Sequence, residues 1–217
     1  MNQNARVLRE DWVSQELELR EGHLQDLSGE LKPIAHGLAA ESIRVTGLSG
    51  SGKTTIAKYI VRQLEEETLG IRWGYTNCIS SPSESALIYS LARDAGRAND
   101  LRPEGTPTAL LLDRLREMDG HFVAIVDEVD VLEDDSTIHA LYDIPNVTLI
   151  LVCVSEDAFF ADLDSRVASR LRGAAKVSLE KYGHEQLRDI LWGRINAGLA
   201  SGVVNADAVD YIADVAA

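Results

Sequence analysis

Cysteine is almost absent from this chain, and so are lysines and long apolar runs. Only Cys78 and Cys153 occur among 217 residues. Each lies inside an apolar segment and not at metal-ligand spacing, so neither a disulfide framework nor a zinc site is expected, and both read as small core residues. The longest apolar run, Val147 to Val154, falls far short of the roughly 20 residues a membrane span needs. No N-terminal stretch joins a basic start to an apolar core as an export leader would. These absences predict a soluble, cytoplasmic protein with no membrane partner. Positive charge is scarce too, with 21 Lys and Arg against 35 Asp and Glu for a net charge of -14. Nucleic-acid affinity begins with neutralising phosphates, so this balance argues against broad DNA binding. The cations are 5 Lys against 16 Arg, and the acids are scattered over predicted helix faces. That resembles the solvation pattern of a halophile's cytoplasm, where high salt screens self-repulsion; an ordinary acidic protein is the alternative.

What is present suffices for one α/β core with a small appendage, since 45% of the residues are hydrophobic and 26% charged. Residues 1–41 carry a helical pattern through Leu17, Leu24, Leu27, Leu31 and Ile34. It is punctuated by Gly22, Gly29, Pro33 and Gly37, which predicts short helices leading into a core. Over residues 42–180 short β-rich runs alternate with amphipathic stretches: Ile43 to Thr46, Ile71 to Asn77, Phe122 to Val126, Val147 to Val154 and Lys176 to Leu179. Strands separated in this way require crossovers, hence a parallel five-stranded sheet flanked by helices. Residues 181–217 read as a partial helical lid, with Leu187, Ile190 and Leu191 on one face and Val209, Ile212 and Ala213 on another.

The sharpest motif is Gly47-Leu48-Ser49-Gly50-Ser51-Gly52-Lys53-Thr54, followed by Thr55 and set between a strand and a helix. This is the phosphate-loop pattern in the context its mechanism needs. Backbone N–H groups from Gly50 to Thr54 can wrap a β-phosphate at the positive end of the helix that begins near Lys53, because glycine permits the dihedrals and the close approach. Lys53 supplies a point charge to the β- and γ-phosphates of ATP or ADP, and the Thr54 hydroxyl can ligate Mg²⁺. A Gly-Ser turn before an ordinary helix is the bland alternative.

The second motif is the strand Phe122 to Val126 ending in Asp127-Glu128. Ligand chemistry in such sheets happens at the carboxyl ends of the strands. Asp127 is expected to hold the magnesium shell, and Glu128 to orient and polarise the attacking water. Asp130, Glu133, Asp134 and Asp135 read as solvated acids.

Together with Leu163-Asp-Ser-Arg166-Val-Ala-Ser-Arg170-Leu171, these motifs make the chain resemble the origin-recognition and cell-division-control initiator ATPases of archaea, within the AAA+ class of P-loop NTPases. The opening fits as well, since Trp12-Val13 and Leu19-Arg20-Glu21 stand where that family places an aromatic-Val-Pro segment and an Arg-Glu pair over the adenine. Ser14 replaces the family's proline. The resemblance implies that Val13 and Arg20 contact the base, and that Arg170, with Arg166 as runner-up, is a finger reaching the γ-phosphate of a neighbouring like subunit. Permanent charge and two-point pairing suit arginine to that task. The alternative is that Arg166, Arg170 and Arg172 solvate a helix face.

By the same resemblance the strand from Leu149 ends beside the γ-phosphate in a polar sensing residue. Glu156 takes the place of the usual Asn there; a carboxylate cannot donate to a phosphate and repels it. Ser155 then takes over the sensing role, and hydrolysis is slow. Residues Ser80 to Thr108 match an inserted helical element that touches origin DNA in the family, and Arg93, Arg97 and Arg102 lie there among Asp94, Asp100 and Glu104. A solvated hairpin is the alternative. Family members continue into a second arginine sensor and a DNA-gripping winged-helix domain, whereas this chain stops at Ala217, so origin DNA is expected to be held through a domain absent from it. The leading expectation is therefore the ATP-binding and ATP-hydrolysing module of a replication initiator. The alternatives are a signal-transducing P-loop ATPase acting on protein partners and a nucleotide-locked scaffold that does not hydrolyse.

Overall fold

The computed structural model describes residue 17 and residues 20–81, 83–132, 136–161 and 163–217. These divide into two compact units: Gly22–Leu179, and Glu180–Ala217 together with the described residues up to Glu21.

The larger unit is built on five parallel strands, β1 (Ile43–Gly47), β2 (Ile71–Asn77), β3 (His121–Asp127), β4 (Val147–Cys153) and β5 (Ala175–Leu179), in the order β2-β3-β4-β1-β5. The expected strands are all present, with ends differing by at most one residue. β4 is buried at every position and β3 at all but its first. Uninterrupted apolar runs such as Phe122–Val126 suit the middle of a sheet covered on both faces. β2 and β5 form the two edges. On the β2 edge, Asp94 of α3 (Glu84–Asp94) turns back so that its carboxylate accepts from the Tyr75 N–H at 3.1 Å.

Helices fill the crossovers. α2 (Lys53–Glu67) follows β1 and buries Ile56, Ala57, Ile60 and Val61. α3 and α4 (Thr108–Arg116) separate β2 from β3. Leu87, Leu91, Leu111 and Leu115 from these two helices join Phe122 in one fully buried cluster, and Phe122→Ala there would cost about 3–5 kcal/mol. A 3-10 turn (Val129–Val131) and α5 (Ser136–Tyr142) lead to β4, and α6 (Glu156–Ala161) and α7 (Ser165–Gly173) lead to β5. Because β1 and β3 both pair parallel with β4, the loops leaving β1 and β3 open at the same, carboxyl end of the sheet.

The lead-in differs from expectation. In place of several short helices, α1 (Glu21–Ala35) runs unbroken through Gly29. The buried stripe of Leu27, Leu31 and Ile34 keeps helical spacing across the glycine, and packing outweighs the roughly 1 kcal/mol that glycine costs. The helix ends where Gly37 takes a φ of 73° and Leu38 N–H reaches back to the Pro33 carbonyl at 3.0 Å, the glycine-capped ending.

In the smaller unit α8 (His184–Gly198) and α9 (Ala206–Ala216) pack on each other, with an Arg188–Asp210 ion pair at 2.8 Å and a His184–Asp214 contact at 3.2 Å. Val209 and Ala213 are buried, but Ile212, expected beside them, is 50% exposed. The face that α9 buries is the narrow one these two share at a spacing of four. Among the described residues no helix is long and apolar enough to cross a membrane.

Candidate nucleotide site

The loop from β1 to α2 is shaped by its glycines. Gly47 has a φ of 150°, and a Cβ there would lie 2.3 Å from the Leu179 carbonyl oxygen and 2.8 Å from Ser51 Oγ, so any side chain would force the loop off β5. Gly50 and Gly52 also lie at positive φ, 79° and 88°. Gly52 is the N-cap of α2, and no side chain caps that helix. Its first-turn N–H groups therefore have no intrahelical partner and form a positive, anion-attracting end. Ser51 is buried, Ser49 exposed, and Thr54 and Thr55 lie between these extremes. Lys53, only 6% exposed, folds over the loop and donates from Nζ to the Gly47 and Leu48 carbonyls at 2.8 and 3.0 Å.

The two motifs meet at Asp127. Its carboxylate is 2% exposed; Oδ2 accepts from the Thr54 hydroxyl at 2.7 Å, and Oδ1 from the Glu128 N–H at 3.0 Å. Glu128 has a φ of 57°, the sole positive φ of a residue other than glycine among the described residues, and such strain clusters at functional sites. Burial, and then the nearby Asp127 and Asp130 charges, push its pKa up, while Lys53 opposes the shift. A carboxylate raised in this way is a better proton acceptor than a solvated one.

Three residues do more than the sequence indicated. Tyr75 donates its hydroxyl to Asp127 Oδ2 at 2.9 Å; burial, followed by the Asp127 charge, pushes its pKa up to about 12. Asp130 is half-buried, not solvated, because its Oδ2 accepts the Val154 and Ser155 N–H groups at 3.2 and 3.0 Å and so ties the β3 turn to the end of β4. Glu156, expected to face the phosphate, is held instead by Arg44 and Lys176. The one signal for these roles was position near strand ends, which does not identify partners. Glu133, Asp134 and Asp135 lie outside the described residues.

The remaining candidates are dispersed. The Ser155 hydroxyl accepts from the Ala158 N–H at 3.2 Å and caps α6. Arg170 lies on the exposed face of α7, its side chain 61% exposed, 3.7 Å from Asp143 and over the Tyr142 ring. Arg166 is exposed as well, while Val167, Ala168 and Leu171 form the buried face. Arg20 belongs to the smaller unit, where its guanidinium lies 4.1 Å over the Tyr182 ring and donates to the Glu180 carbonyl. Val13, with Trp12 and Ser14, lies outside the described residues. In the inserted region Arg93 pairs with Asp94, Asp100 is held by two contacts from Arg114, and Arg102 is exposed. Cys78 and Cys153 are buried, and burial pushes both thiols up to about 12, as suits packing groups rather than nucleophiles.

Comparison with known proteins agrees with this geometry. Residues 38–159 match the AAA domain. ORC1-type DNA replication protein 9 of Halobacterium salinarum is 39% identical over 218 residues, which cover 100% of this chain and 62% of that protein. ORC1-type DNA replication protein 1 of the same organism is 36% identical over 211 residues, covering 97% of this chain and 68% of that protein. The chain thus spans about two thirds of the length of these curated relatives. Among solved structures, the Aeropyrum pernix ORC1 protein in complex with DNA superposes with a TM-score of 0.85 at 28% identity, over 99% of this chain and 59% of that one.

Proposed function

The chain belongs to the AAA-domain family and, within it, to the ORC1-type replication proteins, and from that premise we propose that it is the ATP-binding and ATP-hydrolysing module of a DNA replication initiator. The observation that carries the proposal is the meeting of the Thr54 hydroxyl and the Asp127 carboxylate at 2.7 Å, beside an uncapped helix N-terminus. Two separate sequence motifs converge there on one buried point.

In this reading the N–H groups of Gly50 to Thr54 hold the β-phosphate, with Gly47, Ser49, Ser51 and Thr55 shaping the loop around it. Lys53 exchanges the Gly47 and Leu48 carbonyls for β- and γ-phosphate oxygens, a short move for a flexible stem. Thr54 and Asp127 offer a hydroxyl and a carboxylate, hard oxygen donors that suit Mg²⁺. When bound, Mg²⁺ neutralises charge that develops on the phosphates. Glu128, with its raised pKa, orients the attacking water and accepts its proton. Ser155 senses the γ-phosphate from the end of β4, Val13 and Arg20 contact the adenine, and exposed Arg170 reaches a nucleotide on a like subunit. Turnover is slow. Origin DNA is a partner in this reading, and the protein works in the cytoplasm.

The non-hydrolysing alternative drew on Glu156 repelling the phosphate. Its pairing with Arg44 and Lys176 removes that support.

The test recovers the protein with its associated DNA from its own cells at native salt and sequences that DNA. An ATP-dependent peak at one or a few loci, erased by Lys53→Ala, is the expected result. A flat profile from a protein that still binds ATP would overturn the initiator role and leave the nucleotide site standing.

A further inference from the structure

Asp127 is held by a side chain that neither nucleotide motif contains. Tyr75 donates to Asp127 Oδ2 at 2.9 Å, the same oxygen that takes the Thr54 hydroxyl at 2.7 Å, while Oδ1 accepts from the Glu128 N–H. The parallel register explains how Tyr75 reaches it. Asn77 pairs with Asp127 across β2 and β3, so Tyr75, two residues back, shares that face of the sheet and spans forward with its ring. The Lys58 ammonium of α2 lies 3.3 Å from the ring centroid. Elements from three parts of the chain thus converge around one phenol, and three donors fix a carboxylate that is 2% exposed.

We propose that Tyr75 is a positioning residue for the metal–nucleotide complex, holding the Asp127 carboxylate in place when the Thr54 hydroxyl turns to ligate Mg²⁺. This rests on the nucleotide-site reading given above. A hydroxyl oxygen that gives a lone pair to a cation must reorient toward it, whereas the phenol keeps its hold on Oδ2 and the Glu128 N–H its hold on Oδ1. Groups behind metal ligands act in this way, orienting a ligand they do not replace. Without the phenol, the carboxylate must be ordered at each binding event, which lowers affinity. A hydrogen bond to a charged acceptor in a half-buried setting corresponds to roughly a tenfold effect on binding.

The experiment measures the dissociation constant of a fluorescent ATP analogue for the wild-type chain and for Tyr75→Phe, each in excess Mg²⁺ and in EDTA. The gain in affinity that Mg²⁺ brings should fall roughly tenfold in Tyr75→Phe, with affinity in EDTA unchanged. Tyr75→Phe should add nothing further in an Asp127→Asn background, as expected for two residues acting through one contact. An undiminished Mg²⁺ gain in Tyr75→Phe overturns the inference, and so does an equal loss in Mg²⁺ and in EDTA, the signature of a purely structural role. A wild-type chain that binds the analogue in neither medium defeats the nucleotide-site reading itself, a result distinct from both.

Discussion

Neighbouring strands β3 and β4 are each followed by a glutamate, Glu128 directly and Glu156 after two residues, and the two glutamates meet opposite fates. Glu128 follows β3 with a left-handed backbone and a raised pKa; its nearest charges are the acids Asp127 and Asp130, opposed by Lys53 alone. Glu156 follows β4 at the start of α6, where Arg44 and Lys176 clasp it. Arg44 also donates to the carbonyls of Arg172 and Ala174, at the end of α7. Compensation separates the two. A carboxylate kept short of cations beside the phosphate loop is available for proton chemistry, whereas one matched by two cations serves to join helices to the sheet. Residue type does not distinguish them; the neighbours do.

Substitution at each glutamate should break this contrast in opposite ways. Glu128→Gln should lower ATP turnover by roughly 10²–10⁴-fold, the range for losing a positioned base, with nucleotide affinity preserved; Glu156→Gln should leave single-turnover hydrolysis near the wild-type rate. Equal losses from the two substitutions would put the chemistry at both strand ends or at neither. Arg44→Ala comes next. It takes one of two cations from Glu156, whose side chain is 20% exposed, leaving Lys176, and it removes the donors to the Arg172 and Ala174 carbonyls; it should destabilise the chain by about 1–3 kcal/mol in urea unfolding, below the cost of leaving a buried charge unpaired. Glu128→Gly relieves the left-handed backbone and should stabilise by about 1 kcal/mol, measured by the same unfolding, even as it removes the base.

The smallest effect is in pH. Because the pKa of Glu128 is raised in the fold, its contribution to stability is greatest below the ordinary glutamate range and is lost as pH rises through the raised value. Glu128→Gln should therefore be slightly more stable than wild type at neutral pH and lose that advantage in acid. Wild-type turnover, which needs the ionised form, should decline on acidification before an ordinary glutamate would protonate.

Much of this arrangement was legible in the residues. Strands β3 and β4 announce themselves as apolar runs, because the middle of a parallel sheet is buried on both faces; β1, β2 and β5 show as shorter β-rich runs, and the glycines at 47, 50 and 52 mark a loop that only such residues can form. Thr54 and Asp127 stand out in their two motifs, and the fold brings them into contact. What stayed hidden depends on pairs. Nothing in the run Ile71–Asn77 says that the Tyr75 hydroxyl will reach across to β3, since that requires the register. Asp130 looked like one more solvated acid because its partners are backbone N–H groups, which no side-chain pattern encodes. Glu156 was read against its place in a family motif, while its charge is balanced by Arg44, 112 residues away in the chain. Gly29 suggested a break in α1 that burial of Leu27 and Leu31 overrode.

The turn of Asp94 onto the Tyr75 N–H has a consequence for crowded solution. β2 is an outer strand, and an outer strand with open amides is a template on which another chain can grow a sheet. A carboxylate that occupies one of those amides, with Arg72 exposed along the same strand, denies an incoming strand both a donor and an uncharged surface. That small contact leaves one fewer open amide on which a second chain could pair.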